Sequence, residues 1–73
     1  MRQAILYRDE DGVWIAEVPS LPGCVSQGAT QEDAIRNVTE AAELWIETMK
    51  ELGRPVPQDD MSATVALLPL NVA

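Results

Sequence analysis

Apolar residues recur through residues 30–52 with gaps of one, three and four positions: Ala34, Ile35, Val38, Ala41, Ala42, Trp45, Ile46, Met49 and Leu52. That spacing puts them on one side of an α-helix. At about 1.5 Å per residue the helix is roughly 33 Å long. Thr30 fits the N-cap, where a hydroxyl accepts from a free backbone N–H of the first turn. Glu32 and Asp33 follow it, where the helix dipole is positive. Gly53 suits the left-handed position after the last turn, and Pro55 cannot continue the helix.

Before the helix the period changes from 3.6 to 2. Residues 2–8 alternate, with Ala4 and Leu6 on one face and Ile5 and Tyr7 on the other. Residues 9–12 (Asp-Glu-Asp-Gly) read as a hairpin turn, Asp11-Gly12 being a strong turn pair. Residues 13–18 form a second strand, with Trp14, Ala16 and Val18 on one face and Val13, Ile15 and Glu17 on the other. Glu17 favours water, so the Trp14 face is expected against the helix. Pro19 and Pro22 stiffen the next connection, and residues 24–27 make a short third strand.

After a linker at 53–60 containing Pro55 and Pro57, residues 61–68 alternate again and predict a fourth strand, stopped by Pro69. Residues 71–73 are expected to fray. The order is β-β-β-α-β, an α+β domain over residues 1–73. The helix returns the chain, so the fourth strand is expected parallel to the third and beside the first. A right-handed crossover sets the helix on one face of a mixed four-stranded sheet. The other face, carrying Val13 and Ile15, is left uncovered. A domain of 73 residues buries only about 60% of its unfolded surface. The small core and the open face together predict a homo-oligomer, most simply a two-fold dimer through Val13 and Ile15.

Composition narrows the function. Five basic residues against twelve acidic ones, with no histidine, give a net charge of −7. A direct nucleic-acid binder needs a basic footprint, which this chain lacks. The charge fits either plain solubility or a basic protein partner. No apolar run approaches the ~20 residues of a membrane span, and the N-terminus leads into no signal-peptide pattern. The lone Cys24 cannot form an internal disulfide, which is consistent with a reducing cytoplasm.

Candidate catalytic chemistry is sparse. Without histidine there is no imidazole base or imidazole metal ligand. Cys24 has no such base to activate it and reads as a small buried thiol. Asp9, Glu10 and Asp11 are carboxylates of a turn, and Asp59 and Asp60 of a linker. A two-metal nuclease needs carboxylates converging from strand interiors, whereas the centre of the first strand offers Ala4, Ile5, Leu6 and Tyr7. No catalytic, cofactor or metal residue is assigned.

The polar side of the helix is distinctive. Glu40, Glu43, Glu47 and Glu51 share it, and Glu43/Glu47 and Glu47/Glu51 are like-charged i,i+4 pairs. Each such pair costs a few tenths of a kcal/mol. Arg36 is placed to serve Glu32 and Glu40, and Lys50 relieves Glu47 in part. Leu44 lies on the flank of the stripe, off the core direction. The stripe is either a solvated helix face or an acidic docking surface with an apolar anchor.

Residues 21–24 (Leu-Pro-Gly-Cys), followed by 28–34 (Gly-Ala-Thr-Gln-Glu-Asp-Ala) and then Asn37, Glu40 and Ala41, resemble the HicB family of antitoxins. Tyr7, Asp11-Gly12, Trp14 and residues 16–19 are similar to that family's first hairpin. The resemblance runs from about residue 2 to the end of the helix and weakens after Gly53. Ala29, where the family often has Asp, is a departure confined to the cap region. The resemblance implies a partial ribonuclease-H-like fold lacking the catalytic carboxylates. It also implies a partner, a HicA-like toxin: a small basic protein of double-stranded-RNA-binding fold that cleaves mRNA with a histidine. Many members carry a further C-terminal DNA-binding domain of ribbon-helix-helix or helix-turn-helix type. This chain ends after its fourth predicted strand, so no direct nucleic-acid contact is expected. The expectation is an antitoxin that covers its toxin through Glu40, Glu43, Leu44, Glu47 and Glu51. The alternatives are a solitary oligomeric module and a residual nuclease.

Overall fold

The computed structural model of the chain describes residues 1–70; the expected frayed end at 71–73 lies outside them. Three strands, β1 (Ile5–Arg8), β2 (Trp14–Glu17) and β3 (Val25–Gly28), precede one helix, α1 (Gln31–Glu51). The strands form an antiparallel meander in the order β1-β2-β3, so β1 and β3 are both edges. In register, Leu6 and Ser26 flank Ala16, while Tyr7 and Gln27 flank Ile15. The fold is therefore α+β, with a helix on one face of a three-stranded sheet.

The turns set the strand limits. Asp9 Oδ1 accepts from Asp11 N and Val13 N, both at 2.9 Å, and Gly12 takes φ 79°. Because the side chain of Asp9 takes up its amide, Val13 stands just outside β2. Pro19 has no N–H, so β2 ends at Glu17 and residues before Ile5 have no ladder partner. Between β2 and β3 the chain closes on itself: Leu21 N donates to Val18 O, Cys24 N to Leu21 O and Val18 N to Cys24 O, at 3.0–3.1 Å. Gly23 takes φ 80° there, and Leu21 is wholly buried.

The helix is capped as its sequence demands. Thr30 Oγ1 accepts from Asp33 N at 3.1 Å. At the other end Gly53, at φ 67°, donates to Lys50 O, and Arg54 N donates to Met49 O. This bonding pair is a Schellman ending. The core comprises Ala16, Val18, Leu21, Cys24, Ala34 and Val38, with Leu6, Trp14, Ala41, Ala42, Trp45, Ile46 and Val56 packed around it. The Trp14 face of β2 meets the helix as predicted. Gly28 brings β3 against the start of α1 so closely that a Cβ there would lie 2.5 Å from Ala34 N. Asn37 Nδ2 fixes the same junction by donating to Gln27 O at 2.8 Å.

The predicted fourth strand does not form. Residues 61–68 pair with no strand among the described residues. The cause is local: Asp59 Oδ1 accepts from Met61 N, Asp60 Oδ1 from Ser62 N, and Gln3 Oε1 from Ala63 N. The first three amides of the predicted strand are thus held by side chains, and Met61 sits at φ 59°. With no strand beside β1, the helix covers mainly β3 and β2. Ile35 and Leu52, expected in the buried stripe, are exposed, and Trp45 and Ile46 are half-buried rather than core residues.

Candidate functional site: an acidic ridge and an apolar groove

The carboxylates and the thiol have structural occupations. Asp9 closes the hairpin, and Asp60 accepts from Ser62 Oγ at 2.6 Å, which with the Ser62 amide holds its carboxyl below the usual range. Burial raises the Cys24 thiol above its ordinary value. The thiol is therefore protonated at neutral pH, and native protein is expected to react with iodoacetamide at pH 8 at least tenfold more slowly than urea-unfolded protein. The linkage has a definite sign. The unfolded thiol ionises first, so the contribution of Cys24 to stability is intact below about pH 8.5 and is lost as pH rises beyond it. Equal alkylation rates in the two states would place the thiol at the surface.

The geometry of α1 makes a different kind of site. Its 21 residues extend about 31 Å, whereas four-residue strands extend about 13 Å. The C-terminal half of the helix therefore overhangs the sheet. Beneath it lies an open groove of about 290 Å³, lined by Gly23, Cys24, Val25, Ala41, Leu44, Trp45, Thr48 and Met49. Trp45 Nε1 donates to Pro22 O at 3.0 Å, which fixes the indole as the groove floor and ties the helix to the 21–24 turn.

Leu44 forms the outer lip of this groove and is 64% exposed. Glu40, Glu47 and Glu51 are exposed, and at 3.6 residues per turn they lie beside Leu44. Glu43 is exposed as well, but it lines a second groove on the opposite flank, with Ala4, Ile35, Ala42 and Ile46. The structure thus joins four of the five residues singled out from sequence and sets Glu43 apart. Arg36 pairs with Asp33 at 2.7 Å rather than with Glu32 or Glu40, the one ion pair among the described residues. Val13 and Ile15 are half-buried; Ile15 lies on the helix-free face between Tyr7 and Gln27.

Periodicity alone places Trp45 and Met49 with the core. Their place in the groove rests on β1 and β2 being shorter than alternation predicts. A stripe of nine apolar positions over 23 residues is longer than any sheet of four-residue strands can cover, and its far end must face something else.

No helix among the described residues is long and apolar enough to cross a membrane. The family model of HicB-like antitoxins of bacterial toxin–antitoxin systems matches residues 3–68. A UPF0150 protein of Thermoplasma acidophilum is 41% identical over 56 residues, covering 77% of this chain and 81% of the relative. One from Synechocystis sp. is 47% identical over 57 residues, 78% of this chain and 72% of the relative. A third, from Archaeoglobus fulgidus, is 40% identical over 48 residues, 66% and 70% of the two chains. With 66 of 73 residues inside the family match and relatives above 40% identity spanning most of both chains, the chain belongs to the HicB-like antitoxin family.

Proposed function

We propose that this chain neutralises a HicA-like, mRNA-cleaving toxin in the cytoplasm by binding over it, without chemistry of its own. One observation carries the reading: an exposed leucine and an apolar groove bordered by Glu40, Glu47 and Glu51 on a rigid helix. A small basic partner supplies the complementary charge, and one apolar side chain of that partner fits the groove beside Trp45 and Met49. The carboxylates speed encounter and orient the partner, while the groove slows its release. An inhibitor acting by occlusion needs neither histidine nor converging carboxylates. The like-charged helix neighbours, a small destabilisation in the free protein, become favourable contacts in the complex.

The test is co-expression with a HicA-like toxin, read by growth and by pull-down. Rescue and co-purification are expected; a wild-type chain that neither binds nor rescues overturns the proposal. The charge ridge has its own signature. Glu40→Lys together with Glu47→Lys is expected to slow association about tenfold at low ionic strength, with most of the difference vanishing near 0.5 M salt. Glu43→Lys, on the far flank, is expected to have the smaller effect. A salt-independent loss in the double variant would show that the ridge acts through folding rather than through charge.

A further inference from the structure

The edge of β1 is open. The bond from Asp9 N to Val13 O makes Arg8 and Trp14 a non-hydrogen-bonded pair in the antiparallel ladder. By alternation Leu6 and Arg8 then direct their N–H and C=O groups away from β2, toward a side where no strand lies. At the N-terminal end of this edge lies the groove of about 270 Å³ between residues 2–4 and α1, whose apolar lining includes Ala4, Ile35, Ala42 and Ile46. A strand laid on β1 would place alternate side chains in that groove.

The same chain carries a segment of the matching kind. Residues 63–70 contain no charged side chain and alternate as a strand does, and residues 64–70 are exposed, Val65 at 86% and Leu67 at 97%. Its own β1 is not its seat. The turn at Asp59–Met61 and the bond from Ala63 N to Gln3 Oε1 hold the start of the segment beside the N-terminal end of β1. Residues 64–70 are exposed and do not line the groove.

We propose that residues 61–70 of one copy add as a fourth strand to the β1 edge of a second copy, reciprocally, closing a two-fold dimer. An unpaired edge and an extended apolar segment on one chain are the two halves of a strand exchange. Charge favours this route over face-to-face contact of the helices. In a chain of net charge −7 the donated segment is neutral, and two of the five basic residues, Arg2 and Arg8, flank the receiving edge. At the roughly 30–40 Å² per residue of standard interfaces, two reciprocal insertions bury about 1,000 Å², the lower limit for a specific association. Pro69 near the end of the segment is tolerated, because the added strand is itself an edge.

Sedimentation of the full chain at 10–100 μM tests the proposal without any toxin, so its outcome is separate from that of the antitoxin reading. The expected mass is twice the 8.0 kDa of one chain. Leu67→Asp, which cannot enter the apolar groove, and Ala66→Pro, which removes an N–H of the parity opposite to Pro69 and hence a ladder donor, are each expected to yield monomers with unchanged helical circular dichroism. In mixed labelled and unlabelled protein, nuclear Overhauser effects between Leu67 and Ile46 are expected only between copies. A monomeric wild type, a dimer that survives both substitutions, or Leu67–Ile46 contacts within one copy would each overturn it. The second of these outcomes would put the interface on the sheet face around Val13 and Ile15.

Discussion

Leu21→Ala is expected to leave the chain largely unfolded at 37 °C. Leu21 is the largest side chain with no exposure at all, and it sits in the turn that joins β2 to β3 beneath α1. Leucine-to-alanine changes at such sites cost about 2–5 kcal/mol, through lost transfer energy and the cavity left behind. A domain of this size has about 4–11 kcal/mol in all, so the substitution removes a large part of it. The turn cannot collapse readily onto the gap, because three backbone hydrogen bonds among Val18, Leu21 and Cys24 fix its shape. Urea titration followed by circular dichroism measures the loss. Leu52→Ala, at an exposed position past the last helical turn, serves as the control and is expected to change stability by less than about 0.5 kcal/mol. Equal midpoints for the two variants would mean that the core is not centred on the 21–24 turn.

Leu44→Asp is expected to abolish neutralisation while leaving the fold intact. The side chain is mostly in water in the free protein, so its removal disturbs no core contact. In the proposed complex it is the apolar anchor at the lip of the groove. Truncating or charging an anchor of this kind costs about 2 kcal/mol or more, at least a thirtyfold loss of affinity. Because a buried contact is lost, the change appears in the off-rate, with the on-rate within a few-fold of wild type. Surface plasmon resonance against the toxin resolves the two rates. A Leu44→Asp variant with a wild-type off-rate moves the interface away from this groove.

The helix, its caps and the face of β2 that it covers were all readable from residue spacing, because each depends on neighbours in sequence. Thr30, Gly53 and the Trp14/Ala16/Val18 alternation act locally, and the structure places them as expected. Strand limits shifted where one side chain captured an amide, as Asp9 does with Val13. The fourth strand failed for the same reason, multiplied: Asp59, Asp60 and Gln3 take the amides its ladder required. Alternation reports which side chains could share a face, but not whether a backbone partner is within reach. At the site, exposure of Leu44 and the glutamates followed from helix phase. The groove beside them did not, since it arises from the mismatch in length between α1 and the strands.

Every substantial packing contact in this fold joins elements that are consecutive or next but one along the chain: β1 with β2, β2 with β3, and α1 with β3 and β2. Little loop-closure entropy opposes such an arrangement, and small mixed α/β topologies fold on the order of milliseconds. Ribosomal synthesis of 73 residues, at about 5–20 residues per second, takes about 4–15 s. The waiting time for a competent helix face is therefore set by translation, not by folding. Against the mRNA-cleaving partner proposed above, the supply of fresh inhibitor then falls as fast as its template does, and the pool already folded is the reserve.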